Sequence, residues 1–477
     1  MRSFAANLLP ALLLAGAASS LSAQSFYRRP PNDYRRTADR NVATDLNQRL
    51  AAGVAVLEWE PQRGRLDALL RALGISPSSQ TLVFSKTSLQ RHRIGPGNPR
   101  ALYFGSDAYV GWIPGARNLE VAVGDDLLGL AFYTLTQRQD GVAQLVRSDS
   151  CLSCHGSART ESEPGLLLRS VFPDASGDPL ASAGESRMDH RAPIRDRWGG
   201  WLVTGKLQGR HRGNGVARLA ASGSHVVDGA AGDDLHALLA ALHAGDAQPA
   251  DGPAEEDLGG LFTFLPDRYP APTSDIAALL ALEHQASVHN LLIRASMQAR
   301  YLVDKDARLA GAVLDGKSSD VEAASREASR LQPSTVALMD RLAGDIVAEL
   351  LLDGEADLSS HAVRSEPRFA QQFEQQWPSD ESGLALGKLD LTKRTFTLPL
   401  SPMVHAPAFR RMPTVLRESV LRRLAVAIVR GVTPGSVRLR RSERTALEQH
   451  LRATLPEWGA HADRARRPPH RARRNHR

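Results

Sequence analysis

Ala101-Leu102-Tyr103-Phe104 and, four residues on, Ala108-Tyr109-Val110-Gly111-Trp112 are short runs rich in aromatic and β-branched residues. They are too short for core helices and read as strands. The same pattern extends outward on both sides. Leu82-Val83-Phe84 precedes it, and Leu119-Glu120-Val121-Ala122-Val123 and Leu128 to Leu135 follow. Turn signals separate the runs, among them Gly95-Pro96-Gly97-Asn98-Pro99 and Pro114-Gly115. An antiparallel sheet is the natural reading. Leu166-Leu167-Leu168, Val171-Phe172 and Trp198-Gly199-Gly200-Trp201-Leu202-Val203-Thr204-Gly205 supply further strand-like pieces, so a β-rich domain is expected over residues 76–225.

Inside that stretch lies Cys151-Leu152-Ser153-Cys154-His155, which holds the only two cysteines of the chain. The spacing C-x-x-C-H is that of covalent haem c attachment. Two thiols three positions apart each add to one vinyl group of a single porphyrin, and the adjoining imidazole reaches the iron as axial ligand. Chance placement of such a pattern is on the order of one in ten thousand. A redox-active C-x-x-C would need a thioredoxin-like βαβ context, and none is visible. A zinc site would need a fourth ligand beside Cys151, Cys154 and His155.

The first residues point to the compartment. Arg2, the apolar run Leu8 to Ala15 and the small residues up to Ala23 read as a signal peptide, 1–23. That agrees with haem c, which is attached outside the bacterial inner membrane, and the expected location is periplasmic. No later stretch reads as 18 to 20 apolar residues free of charge. The net charge of +7 is concentrated at the far end, where seven arginines lie between Arg464 and Arg477. Residues 461–477 are therefore expected to be a disordered basic tail with at most peripheral membrane contact, and nucleic acid is not expected as a partner.

The 477 residues exceed a minimal haem pocket several times over. Residues 24–75 read as an arm that docks late or not at all, ending in a short helix marked by Leu66, Leu69, Leu70 and Leu73 and stopped by Gly74. Residues 226–272, rich in Gly, Ala, Asp and Pro, read as a connecting region with a helical piece near His236 to His243. A helical domain is expected over 273–460. Its first helix runs from Asp275 to about Val303 under a Ser274 or Asp275 cap, and others cover Thr335–Leu352, Val415–Val429 and Glu443–Leu455. The fold class is thus α+β: a β-rich haem c domain followed by a mostly helical C-terminal region.

The second axial position of the iron falls to His190 on this reading. Met188, His211, His284 and no ligand at all remain as alternatives, and methionine would set a higher potential than histidine. Glu283-His284-Gln285 and His289-Asn290 form a polar cluster on an otherwise apolar helix and must find partners. Trp198 and Trp201 are candidates for haem walls, and Arg169, Arg195 and Arg197 for propionate contacts.

At Cys151-Leu-Ser-Cys-His155 the chain resembles c-type cytochromes. Over Arg147 to Gly156, Arg197-Trp-Gly-Gly-Trp201, Leu282 to Gln285 and His289-Asn290 it resembles a little-characterised group of exported bacterial cytochrome c domain-containing proteins. The resemblance implies haem and export and supplies no substrate. The β-rich setting also resembles, in layout, PAS-like haem c sensor domains. The expected function is that of an exported monohaem cytochrome that exchanges electrons with a redox partner protein. No catalytic triad, phosphate loop or carboxylate pair is assignable from spacing, so an electron carrier is favoured over a catalyst with its own substrate. The alternative is a haem-based redox or gas sensor, or a peroxidase-like enzyme with an open distal site.

Overall fold

A computed structural model describes residues 25–209, 211–215, 217–219, 225–227, 268–310 and 330–467. The signal peptide, the helical piece near His236 to His243 and the last ten residues lie outside the described residues. The strand-like runs form β1 (Thr81–Val83), β2 (Arg100–Phe104), β3 (Ala108–Trp112), β4 (Asn118–Asp125), β5 (Gly129–Thr136) and β6 (Leu145–Arg147). These lie side by side as an antiparallel meander; β7 (Arg169–Val171) and β8 (Glu185–Arg187) pair in a separate two-stranded sheet, and β9 (Trp201–Leu202) pairs with β1 to complete a seven-stranded sheet ordered β6-β5-β4-β3-β2-β1-β9.

Strand alternation fixes what each face carries. The pairings Leu102↔Gly111, Gly111↔Glu120 and Glu120↔Thr134 make one row, and Tyr109↔Ala122 and Ala122↔Phe132 make the next on the same face. The opposite face presents Tyr103 and Tyr133. Tyr103 donates to Gln80 Oε1 at 2.7 Å, and Tyr133 Oη accepts from Asn41 Nδ2 at 2.8 Å, so the N-terminal segment closes that side.

The expectation that residues 24–75 form a loosely docked arm is not met. Tyr27 and Tyr34 are buried, and α1 (Val42–Ala51) and α2 (Leu66–Ala72) pack into the same core as the sheet. Tyr34 Oη donates to Leu130 O at 2.9 Å and Asn32 Nδ2 to Met297 O at 3.0 Å. Each aromatic anchor thus carries both apolar area and a satisfied polar group, which offsets the entropy of ordering the arm.

The long helix, α4 (Ile276–Leu309), lies on the Tyr109 face. Asp275 caps it by accepting from Ala277 N at 2.7 Å, and Ser274 Oγ donates to Leu202 O at 2.6 Å while accepting from Leu82 N at 2.8 Å. The helix start is therefore pinned to the β1–β9 edge. Every residue from Ile276 to His289 is buried, so this is a core helix and not an amphipathic surface one. By length and composition it could cross a bilayer, yet its most apolar window is 94% buried in protein. Gly129, at φ +72°, lets the helix approach β5, since a Cβ there would stand 2.4 Å from Ile293 Cγ2.

Further helices, α5 (Pro333–Leu350), α6 (Pro367–Gln375), α7 (Pro407–Arg410), α8 (Thr414–Ala425), α9 (Arg441–Thr454) and α10 (Trp458–Arg466), gather around α4. One hydrophobic cluster runs from Tyr27 through the sheet and α4 to Ala465. The β-rich and helical regions thus share a core. The expected tail boundary also shifts: Trp458, His461, Ala462 and Ala465 repeat at helical spacing and are buried, so residues 461–466 are helix.

Candidate functional site

Beyond β6 the chain turns through a short 3-10 segment into α3 (Leu152–His155), a single helical turn. Leu152 is buried and anchors the turn, leaving Cys151 and Cys154 half-buried as free thiols. Both thiols and His155 line a cleft of about 410 Å³ between the Tyr109–Ala122–Phe132 face of the sheet, residues 166–168 and α4. That volume falls in the range of cofactor sites.

His155 is held at one ring nitrogen. Its Nδ1 is 2.8 Å from Gly165 O, which requires Nδ1–H to donate and leaves the Nε2 lone pair free. Its ring lies 4.9 Å from that of Phe132. Burial depresses the imidazole pKa, so the ring is neutral at pH 7 and its Nε2 lone pair is not taken by a proton. The Gly165 carbonyl is fixed in turn from α4. Asn290 Oδ1 accepts from Leu166 N at 2.7 Å, and Asn290 Nδ2 donates to Leu166 O at 2.8 Å. Such a carbonyl partner is the usual way a metal-binding histidine is oriented.

One wall of the cleft carries a half-buried ion pair. Arg100 Nη2 donates to Glu120 Oε2 at 2.5 Å, and Glu120 Oε1 accepts from Ser88 Oγ at 2.9 Å and Gln90 Nε2 at 3.2 Å. Burial pushes the Glu120 carboxyl up, but Arg100 and the two hydrogen bonds outweigh it and hold it below its ordinary value. Arg100 Nε is buried without a partner. An orphaned guanidinium hydrogen at the cleft wall suits an anionic substituent of a bound group.

These residues fit haem c. Cys151, Cys154 and His155 open on one apolar cleft, the imidazole has a free nitrogen, and Arg100 offers a donor for a propionate. Burial raises the Cys151 thiol pKa, the reverse of what a redox-active C-x-x-C nucleophile needs. Among the described residues no three His, Cys, Asp or Glu side chains converge as around a metal ion, so the zinc alternative gains no ligand set.

The structure does not bring the sequence-expected second ligand to the cleft. His190 is buried on the far side of α4, with Nδ1 3.3 Å from His284 Nδ1 and 3.6 Å from Glu349 Oε1. His284 Nε2 is 2.7 Å from Ser401 Oγ. Met188 Sδ accepts from Trp198 N at 3.2 Å, and His211 packs edge-on against Trp198. None of the four lines the cleft.

The polar cluster on α4 turns out to tie elements together. Glu283 accepts from Arg197 Nη1 at 2.8 Å and Trp198 Nε1 at 2.5 Å, so Arg197 and Trp198 are committed to the core. Trp201 Nε1 donates to Arg169 O at 2.8 Å, Arg169 pairs with Glu185, and Arg195 is exposed. Sequence reasoning passed over Arg100, Glu120 and Tyr109, and it marked Asn290 as in need of a partner without finding its clasp on Leu166. Arg100 on β2 and Glu120 on β4 meet across Gly111 of β3, and their opposite charges were the one signal available for them. No family model matches the chain, and no curated protein or solved structure matches it.

Proposed function

We propose that this protein binds one haem c through Cys151 and Cys154, with His155 Nε2 as axial ligand, and uses it to exchange electrons with a partner protein outside the cytoplasmic membrane. The observation that carries the reading is the opening of both thiols and the free imidazole nitrogen onto a single cleft of cofactor size. Bound haem supplies a one-electron couple and, at any free coordination position, a site for a small ligand. The chain's own residues do the rest. Gly165 O fixes the imidazole tautomer, Arg100 meets negative charge, and Leu102, Phe132 and Leu168 exclude water.

A second reading is favoured by one specific observation: among the described residues, no methionine and no histidine other than His155 lines the cleft. An iron held only by His155 would keep its sixth position open, as sensing or peroxide chemistry requires.

The test is the visible spectrum of protein made in cells able to attach haem c, followed by the pyridine haemochrome after denaturation. Wild type should retain haem through acid–acetone extraction, and the double variant Cys151→Ser, Cys154→Ser should lose it. Absence of a haem c signature in wild type sinks the proposal. A ferrous spectrum unmoved by carbon monoxide supports electron transfer with both axial positions filled, and a large shift supports the open site.

A further inference from the structure

Tyr109 stands on β3 with its ring in the cleft wall, and its hydroxyl reaches into α4. Gln285 Nε2 donates to that hydroxyl at 2.9 Å and to Gly105 O at 2.6 Å, so the amide is fully used as a donor. The phenol proton is left to face His289 Nδ1, 2.9 Å away. His289 is therefore the Nε2–H tautomer, assigned from the network. Its Nε2 is buried, has no hydrogen bond and lies 3.6 Å from Asp107 Oδ1. Asp107, in the β2–β3 turn, is gripped by Arg411 through two bonds of 2.7 Å and keeps its side chain 14% exposed. A hydroxyl on a residue of the cleft wall, an imidazole and a part-exposed carboxylate thus follow one another, the last two separated by 3.6 Å with no hydrogen bond between them.

A purely structural role accounts poorly for this line. A buried ring nitrogen without a partner costs about 1–3 kcal/mol, which an apolar residue at position 289 would avoid. We propose that Tyr109, His289 and Asp107 form a proton relay that removes the proton from a small weak acid HX, of the hydrogen cyanide or hydrogen peroxide kind, as its anion enters the haem cleft. The inference rests on the haem reading with an open sixth position.

In the step, the H–X bond breaks and its proton passes to Tyr109 Oη while the phenol proton moves to His289 Nδ1. X⁻ stays in the cleft, His289 becomes an imidazolium, and no oxidation state changes. The charged groups facing His289 are Asp107, which favours the imidazolium, and Arg411, which opposes it. Burial outweighs both and holds the imidazole at about 4, so the ring is neutral before the step and its imidazolium is short-lived.

The experiment is the rate of cyanide binding to the ferric full-length holoprotein, read at the Soret band from pH 5 to 8. Wild type should bind at a nearly pH-independent rate, and faster in water than in D₂O. Tyr109→Phe keeps the ring in the wall but removes the hydroxyl. It should bind about a hundredfold more slowly at pH 6, with a rate that climbs toward alkaline pH and no longer responds to D₂O. His289→Gln should behave alike. If haem c is present and Tyr109→Phe binds cyanide within twofold of wild type, or wild type binds none, the relay is wrong while the haem reading stands. If no haem c signature is found, the reading itself has failed.

Discussion

Asn290 lies on α4, 135 positions after His155, yet it governs the imidazole through two backbone bonds to Leu166 and the neighbouring Gly165 carbonyl. Asn290→Ala removes both hydrogen bonds to the half-buried Leu166 backbone, which should cost about 1–3 kcal/mol in denaturant unfolding at about 0.5–1.5 kcal/mol each. In the holoprotein it should also shift the midpoint potential, because a loosened Nδ1–H bond makes the axial nitrogen a weaker base. An unchanged potential would mean that Gly165 is held by other contacts. That Cys151, Cys154 and His155 share one cleft was legible in the sequence because they lie within five consecutive positions. Tyr109, Gln285 and His289 were not, since 176 to 180 positions separate the partners and only the docking of α4 on β3 joins them. His190 misled for a related reason: a buried histidine serves a core as readily as an iron, and here it faces His284 and Glu349.

Among the elements, β3, β4 and β5 make the cleft by what they omit. Gly111 and Ala122 sit on the cleft face between larger neighbours. Ala122→Leu adds three carbons where the cleft needs room. The folded protein should lose about 1–3 kcal/mol or less, while haem content per chain falls sharply in the pyridine haemochrome assay. Full haem content in that variant would place the group elsewhere. The strands were readable because Gly and Pro punctuate them and their apolar runs are short, and the α4 cap at Asp275 was readable for the same local reasons. The N-terminal arm was not. Its anchors, Tyr34 on Leu130 O and Asn32 on Met297 O, are long-range bonds that leave no periodic trace in a polar, proline-containing segment.

Across the whole molecule, burial sets the response to acid. Of the imidazoles it depresses among the described residues, five move furthest, His190, His211 and His289 to about 4 and His284 and His405 to about 3. Each stays neutral when folded and takes a proton when unfolded as pH drops below about 6.5. Their contribution is complete above that value and is lost as pH falls toward 4. Burial raises three carboxyls, Glu163 to about 8, Glu283 to about 7 and Asp275 to about 6, and these act the other way. Five against three leaves about two protons, so stability should fall by up to roughly 3 kcal/mol per pH unit between pH 6 and 4.5. Urea midpoints at pH 7, 6 and 5 check this, and a midpoint at pH 5 equal to that at pH 7 would refute it.

The cleft is closed from downstream. Leu282 and Ala286, which line it opposite the sheet, come about 130 residues after His155, and at about 5–20 residues per second synthesis needs on the order of ten seconds to reach them. A growing chain therefore presents its two thiols on an open trough well before the lid exists. On the proposed reading attachment follows export, so the docking of α4 on the sheet, and not the pace of synthesis, sets how long that trough stays open to a group that is to be shut in.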